Sequence, residues 1–442
     1  MKRLIGRIVQ AAPDDIGEQT MESAKKVLLD TLGSLILGMK EASIQNLLAP
    51  YKLFGPGPYA VLGTDVRLDL FSAAFVNGTA SVAVELDEGN QWSKGHPAAH
   101  VVPAMLTYVQ TKQQYDGRLF LSNLIKSYEL CSYFGRATTL QPEAHAHGTW
   151  GVSGAAGSIL LMDQVGEESL QEGLQISASF AMPTRWTAAL EGSPLRNVYA
   201  GQAAESGIKT AALLQAGYRA PNQNIEYVFG QIIGQAFQPD CMSGVMDGWD
   251  IDRNYFKSHA FCRYAHAPLE AFQAIVQEHG IRPEDIRKID VFTYQRAATL
   301  NSSQYHNALS AKFSIPFALS SWLYTDSSAH SIFNEDVLQN SVIRDLAEKV
   351  EVRASAALEV DYPTIMPAEV VVFLNTGEVF KKRLDNALGG PEEVYSLSHI
   401  IHKFKENSNG TYAEDRQEEI VDWIVNMENK QNMKELIDLV CL

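Results

Sequence analysis

The sequence contains few cysteines and no long apolar run, and each absence excludes a class of protein. Its four cysteines, at positions 131, 241, 262 and 441, form no CxxC pair, which argues against a zinc ribbon or an iron–sulfur site. No apolar run approaches the ~20 residues that span a bilayer. The basic start, MKRLIGRIVQ, lacks a hydrophobic region. We therefore expect a reduced, cytoplasmic protein with no membrane partner.

Basic residues are scarce relative to acidic ones, with 36 Lys and Arg against 52 Asp and Glu and a net charge of −16. Phosphate binding needs clustered basic residues, so nucleic acid is not an expected partner. The sequence also lacks a G-x-G-x-x-G motif after a strand and a Walker-type glycine loop. Its one glycine-rich run, GVSGAAG at 151–157, lies inside a helical pattern, which disfavours a phosphate site there.

The length of 442 residues predicts two domains. Apolar residues at three- and four-residue steps predict that the chain before residue 258 is mostly helical. The predicted helices there cover residues 21–39, 68–85, 98–112, 117–134, 152–164, 168–181 and 200–216. Several of these contain runs of small residues, which allow helices to pack closely.

The pattern changes after Lys257, where strands are predicted between helices. Alternating residues predict strands at 288–294 and 368–374, and a turn at Asn375–Gly377 leads into a third at 378–384. Helices are predicted at 267–279, 312–325, 336–348, 395–406, 412–428 and 430–440. We therefore predict a mostly α protein, with an all-helical domain formed by residues 1–258 and 394–442 and a smaller α+β domain formed by residues 259–393.

Residues 85–103, ELDEGNQWSKGHPAAHVVP, hold the densest group of chemically reactive side chains. Charged groups are costly to bury unpaired, so this segment suits proton transfer, anion binding or metal binding better than a core. Pro97 fits the first turn of a helix, where its missing N–H costs nothing. His96 is thus predicted at a helix N-terminus, where backbone N–H groups favour anions.

Several motifs, taken together and in order, resemble the MmgE/PrpD family. They are Asn77–Thr79 with Glu85–Glu88, Lys94–Pro97, His147–Thr149 with Gly154–Ala156, Arg196–Ala204, Lys257–His266, Phe313–Ser314 and Pro367–Val370. The family includes 2-methylcitrate dehydratase, cis-aconitate decarboxylase and iminodisuccinate epimerase. The resemblance implies a homodimer, an α+β lid over a helical domain, a cleft between them as active site, no organic cofactor, and a small polyanionic carboxylate as substrate.

The sequence departs from the dehydratase and decarboxylase pattern at positions that carry proton donors or ligands in those enzymes. The departures are Val82, Glu85, Glu88, Gly148, Arg196, Tyr199 and Phe317. They favour the epimerase branch, which needs no leaving group, and the closest resemblance is to iminodisuccinate epimerase. The alternatives are a hydro-lyase of the 2-methylcitrate type, a cis-aconitate-type decarboxylase, and a non-catalytic binding protein on the same scaffold.

Epimerisation next to a carboxylate needs bases and groups that stabilise a carbanion. The residues predicted to be catalytic are His96, His147, Lys257 and Asp87, with Asp87 orienting a base. Those predicted to bind substrate are Lys94, Arg196, Tyr199, Arg263, Cys262 and His266. Arginine suits a carboxylate clamp because it pairs bidentately and stays charged. A metal site at His96, His100, His145, His147 and Asp87 is the alternative chemistry; we predict no metal.

Overall fold

A computed structural model describes residues 1–241 and 248–442 and shows a mostly helical protein. Helices account for 57% of it, and a small mixed sheet lies in the C-terminal region, which confirms the predicted fold class. Among the described residues, no helix combines the length and apolar character needed to cross a bilayer.

The chain divides into two compact units. The first comprises residues 1–186, 195–256 and 395–442, and the second comprises residues 187–194 and 257–394. The sequence did not indicate that residues 187–194 belong to the second unit.

Twenty α-helices lie within the described residues. In chain order they are α1 Lys2–Gln10, α2 Glu18–Met39, α3 Ala42–Phe54, α4 Leu70–Ser81, α5 Pro97–Tyr108, α6 Gly117–Ala137, α7 Gly151–Met162, α8 Glu167–Ala178, α9 Thr187–Leu190, α10 Leu195–Gln215, α11 Asn224–Tyr227, α12 His266–His279, α13 Ala308–Lys312, α14 Ile315–Thr325, α15 Glu335–Leu338, α16 Ser341–Ala347, α17 Ala356–Glu359, α18 Leu397–Ser408, α19 Glu414–Val425 and α20 Lys434–Val440.

Small residues set the spacing of the helices that carry the candidate site, as the sequence predicted. A Cβ atom added to Gly78 of α4 would lie 2.9 Å from the Cα of Gly201 in α10. A Cβ atom on Gly201 would in turn lie 2.2 Å from the backbone oxygen of Phe75. Side chains there would force α4 and α10 apart. Their close packing brings the start of α10 against the end of α4.

The second unit contains a four-stranded sheet. Its strands are β5 Ile286–Thr293, β6 Val350–Ala354, β7 Ala368–Leu374 and β8 Val379–Leu384, in the order β6-β5-β7-β8. Strand β5 runs parallel to β6 and antiparallel to β7. Strands β7 and β8 form the predicted hairpin, and Gly377 in its turn has a φ of 93°, which favours glycine.

The predicted helices and the three predicted strands are present, but some details differ. The predicted helix at 312–325 begins later, at Ile315, because Ser314 caps the start of α14. The predicted helix at 336–348 is divided into α15 and α16, and Asn340 caps the start of α16. Strand β6 and the short strands of the first unit were not predicted. The latter are β1 Pro56–Ala60, β2 Arg67–Leu68, β3 Thr138–Leu140 and β4 Gly234–Phe237.

Candidate active site

Helix α5 begins at Pro97, and His96 is the residue before it, as predicted. The first N–H groups of this helix have no partner within the helix, and Glu88 from the preceding segment accepts a hydrogen bond from one of them. One oxygen of Glu88 accepts the Ala98 N–H at 2.6 Å, and the other accepts the Tyr128 hydroxyl at 2.9 Å. Burial raises the pKa of Glu88 to about 8, although both of these hydrogen bonds lower it. Glu88 therefore anchors the segment to α5.

The backbone between α4 and α5 is irregular. Glu85 and Lys94 have φ values of 57° and 56°, in a left-handed region that residues other than glycine rarely adopt. Paired backbone hydrogen bonds of 3.0 and 2.8 Å between Gly89 and Tyr255 hold the segment in place. Local strain of this kind persists where surrounding structure imposes it, and it is common at functional sites.

The Asp87 carboxylate contacts the His96 ring. Nδ1 of His96 lies 2.9 Å from Oδ2 of Asp87 and 2.6 Å from the backbone oxygen of Glu88. Because both oxygens are acceptors, Nδ1 carries the hydrogen and the lone pair of the neutral ring lies on Nε2. The side chain of His96 is 13% exposed while that of Asp87 is fully buried. The hydrogen bond to the Glu88 backbone oxygen thus fixes the tautomer of a partly accessible imidazole, and the Asp87 carboxylate lies beside the same nitrogen.

His147 packs against His96 with 5.1 Å between ring centroids. Its Nδ1 lies 3.4 Å from Nε2 of His100, whose own Nδ1 lies 2.9 Å from the backbone oxygen of His96. That carbonyl accepts a hydrogen from His100 Nδ1, so His100 Nε2 accepts one from His147. The lone pair of His147 is left on its buried Nε2, which has no hydrogen-bond partner among the described residues. His147 is therefore a second base in the neutral state.

The two buried histidines are held neutral by their surroundings. Burial is the largest cause that lowers the pKa of His100, to about 4. Burial, followed by the positive charge of Arg196, also lowers the pKa of His147. Neutral imidazoles can accept a proton, whereas His100 is buried within α5 and serves mainly to orient His147.

His145, which was considered only as a metal ligand, also belongs to this cluster. Its ring stacks on His147 with centroids 4.8 Å apart. Its Nδ1 accepts the backbone N–H of His147 at 3.0 Å. The His-x-His spacing was the signal in the sequence, and it indicates a support for His147 rather than an independent base.

Arg196 forms a buried ion pair with Glu85, and both side chains are 1% exposed. Its guanidinium also donates to the backbone oxygen of Val82 at 3.0 Å and to the side chain of Asn197 at 3.2 Å. We predicted a substrate clamp, but the Glu85 carboxylate compensates this charge inside the protein. The sequence did not indicate this pairing, because nothing in the spacing of the two residues predicts it.

Two other predicted substrate-binding residues lie in the first unit. Lys94 is exposed, and its left-handed backbone precedes Gly95. Tyr199 is buried on α10, and its hydroxyl accepts the backbone N–H of Arg185 at 3.4 Å. Asp87, His96, His147 and Arg196 thus lie in one cluster, with Lys94 on an exposed part of the same segment.

The remaining predicted residues lie in the second unit. Lys257 and His266 are fully buried, and Cys262, which is not in a disulfide, is 8% exposed. Arg263 donates to the backbone oxygens of Ala387 and Leu388, each at 2.8 Å. These bonds fix the direction of its guanidinium.

The aromatic position that departs from the decarboxylase pattern is also buried. Phe317 packs among the rings of Phe261, Tyr305 and Phe333, with centroids 6.2, 4.6 and 5.8 Å away. Its role is therefore packing, and it offers no proton.

The alternative metal chemistry has a partial basis in the geometry. Asp87, His96 and His147 each offer a ligand atom, and these atoms lie within 4.8 Å of one another. His100 and His145 are not part of that group. The same three residues can perform acid–base chemistry without an ion, since hydrogen bonds already orient both rings.

Comparison with known proteins places this geometry in a family. The family model for the MmgE/PrpD N-terminal domain matches residues 2–239, and the model for the C-terminal domain matches residues 259–429. Human cis-aconitate decarboxylase is 23% identical over 450 aligned positions, covering 96% of this chain and 90% of that protein.

A second relative comes from a mould. The cis-aconitate decarboxylase-like protein oryM of Aspergillus oryzae is 20% identical, covering 98% of this chain and 95% of that protein. Known members of this family are enzymes. Since the two family models together match nearly the whole chain, the protein belongs to the MmgE/PrpD family.

Proposed function

We propose that this protein is an epimerase that moves a proton at a carbon next to a carboxylate of a small polycarboxylate, with iminodisuccinate as the model substrate. The observation that carries the proposal is the Asp87–His96 pair, with 2.9 Å between Oδ2 and Nδ1. A histidine that is oriented in this way can remove a proton through Nε2, and inversion then requires a second group to return a proton to the opposite face of the carbanion. The Asp87 carboxylate stabilises the imidazolium that forms in between.

His147 supports His96 from the same side of the substrate. A carbon atom held between the two rings would need about 7 Å between them, twice a van der Waals contact of about 3.5 Å. The centroids are only 5.1 Å apart. The two imidazoles therefore act on one face, where His147 can relay or share a proton. Lys257, which is fully buried, stays a predicted catalytic residue.

The positions that depart from the decarboxylase pattern support epimerisation over loss of a group. Val82 is fully buried in a small apolar cluster with Ala99 and Ala200. Phe317 is packed between aromatic rings and carries no hydroxyl. Glu85 and Arg196 compensate one another. None of these side chains is arranged to protonate a leaving group, and epimerisation requires no such step.

A decarboxylase acting on a cis-aconitate-like substrate is the second candidate. Two relatives with cis-aconitate decarboxylase in their names favour it. The arrangement of His96 and His147 on one face also favours a decarboxylase. Loss of carbon dioxide leaves a carbanion that needs a proton on a single face. This reaction and epimerisation share that carbanion and differ in the bond that breaks.

The test is a mass-spectrometric screen of small di-, tri- and tetracarboxylates incubated with the protein in D2O. Epimerisation of one iminodisuccinate diastereomer gives the other, with one solvent deuterium at the carbon that inverts. Decarboxylation gives a product that has lost carbon dioxide, and dehydration gives a new double bond that absorbs in the ultraviolet. If no substrate exchanges, inverts or loses a group, the enzymatic proposal fails and a binding role on the same scaffold is favoured.

A further inference from the structure

We propose that His259, His266 and Glu270 form a binding site for a divalent transition-metal ion, best matched by zinc. Each offers one ligand atom, and the three atoms lie within 4.8 Å of one another. All three residues belong to the second unit. Asp87 and His96 belong to the first unit, and His266, which was predicted to bind substrate, is assigned here to the ion.

The local fold brings these ligands together. His266 is the first residue of α12, and Glu270 follows it by one helical turn on the same face. His259 lies in the segment that leads into the helix, and its ring centroid is 4.9 Å from that of His266. The spacing His-x6-His-x3-Glu is thus the signal in the sequence that the motif analysis did not use.

His266 carries a buried ring nitrogen without a hydrogen-bond partner among the described residues. Its Nε2 lies 3.2 Å from the backbone oxygen of Phe261, an acceptor, so Nε2 carries the hydrogen and Nδ1 the lone pair. The residue is fully buried, and within the described residues Nδ1 has no hydrogen-bond partner. Burial also lowers the pKa of His266, which keeps this lone pair available. A buried acceptor without a partner is costly, and a bound cation would satisfy it.

Glu270 and His259 each form a hydrogen bond through the polar atom that is not proposed to bind the ion. Oε2 of Glu270 accepts the backbone N–H of Leu388 at 2.9 Å, and Nδ1 of His259 lies 2.6 Å from the Ser328 hydroxyl. Oε1 of Glu270 and Nε2 of His259 remain, and they face each other at 3.3 Å. Metal-binding histidines and carboxylates are commonly hydrogen-bonded through their second polar atom in this way.

One of the three distances between ligand atoms matches tetrahedral coordination. With zinc–ligand bonds of about 2.0–2.1 Å, two ligand atoms of a tetrahedron lie about 3.3 Å apart. The His259–Glu270 distance of 3.3 Å has this value. A protonated His259 paired with Glu270 would also explain that distance. It would not, however, satisfy Nδ1 of His266.

Positive charges near His266 limit which ions can bind there. Lys257 and Arg263 act on His266 electrostatically and disfavour positive charge there. An ion must therefore gain its affinity from direct coordination to imidazole nitrogen. Zinc and neighbouring transition metals bind such ligands well, whereas magnesium and calcium prefer oxygen. Three protein ligands leave a fourth position for water or another ligand.

The test is titration of the full-length protein, stripped with EDTA and dialysed, with Zn²⁺ against a chromophoric chelator and with Co²⁺ followed by visible absorption. We expect one tight Zn²⁺ per chain and the intense absorption of tetrahedral Co²⁺. Glu270→Gln and His259→Gln should each weaken binding by at least about 10²-fold. His402→Gln, at a histidine whose side chain is 75% exposed, is the matched control and should bind as the native protein does.

Asp87→Asn distinguishes this site from the group around His96. Binding that survives Asp87→Asn and is lost in Glu270→Gln supports the proposal. Binding that is lost only in Asp87→Asn, or that is absent from the native protein, overturns it. Circular dichroism of each variant establishes that it is folded, and His259→Gln, at a partly exposed residue, serves where Glu270→Gln does not fold. Metal content is the readout, so failure of the epimerase proposal leaves this test unaffected.

Discussion

Nδ1 of His96 lies 2.9 Å from the Asp87 carboxylate and 2.6 Å from the backbone oxygen of Glu88. Nδ1 of His96 therefore carries the ring hydrogen, and Nε2 keeps its lone pair. The relationship depends on Pro97, which begins α5, and on Glu88, which accepts the Ala98 N–H. The irregular segment between α4 and α5 thus holds an oriented base, His96, at the N-terminus of α5.

Asp87→Asn should lower turnover by about 10²–10⁴-fold, in the range typical of general acid–base catalysis. Without the negative charge of Asp87, the imidazolium that forms when His96 takes up a proton is stabilised less. Steady-state kinetics on the substrate found in the D2O screen measure the loss, with His402→Gln as control. Turnover within about twofold of the native value, in a variant with native circular dichroism, would show that Asp87 does not act through His96.

His96→Gln should distinguish proton removal at one face of the substrate carbon from proton removal at the other. If His96 serves one face and another base serves the other, the variant should lose epimerisation and lose exchange of one diastereomer. Exchange of the other diastereomer with D2O should persist, because the second base still removes its proton. Proton NMR of each pure diastereomer in D2O measures both rates. Retention of exchange for both diastereomers would contradict the assignment of His96.

The ion pair between Arg196 and Glu85 should be mainly structural. Arg196→Gln or Glu85→Gln alone should destabilise the protein by about 3–5 kcal/mol, because each leaves a buried charge unpaired. The double variant should lose much less than the sum of the two. Urea unfolding of the four proteins gives this double-mutant cycle. Additive losses would mean that the charges do not compensate one another.

Glu88 should make stability depend on pH. Its pKa is raised to about 8 by burial, from an ordinary value of 4.5. The folded state therefore binds a proton more tightly, so its stabilising contribution is full below pH 4.5 and is lost as the pH rises toward about 8. Glu88→Gln mimics the protonated form and should remove this part of the dependence. Thermal unfolding of both proteins from pH 5 to pH 9 measures it; equal pH dependence in the two would exclude the raised pKa.

Much of the local structure could be predicted from the sequence because it follows from short-range patterns. Three- and four-residue spacing identified the helices, and alternation gave β7 with its limits at Ala368 and Leu374. Pro97 marked the start of α5. Strand β6 was missed because it is short and only two of its five side chains, Val350 and Val352, are buried, which gives too short an alternation.

The candidate site could be predicted less completely, since contacts between distant segments decide its chemistry. The motifs predicted His96, His147 and Asp87 as site residues, but not which nitrogen of each histidine ring keeps its lone pair. Arg196 was expected to bind substrate, yet Glu85 compensates its charge. Glu270 was not predicted at all, because only the fold of α12 and its leading segment brings it to His259.

The central claim is that the Asp87–His96 pair moves a proton at a carbon next to a carboxylate. The most direct test is the initial rate of deuterium incorporation from D2O into iminodisuccinate by the native protein and by His96→Gln, followed by mass spectrometry. We expect the native protein to form the second diastereomer with one deuterium at the inverted carbon, and His96→Gln not to form it. Decarboxylation of cis-aconitate by a native protein that leaves iminodisuccinate unlabelled would contradict the epimerase proposal. Formation of the second diastereomer by His96→Gln at the native rate would contradict the role of the pair.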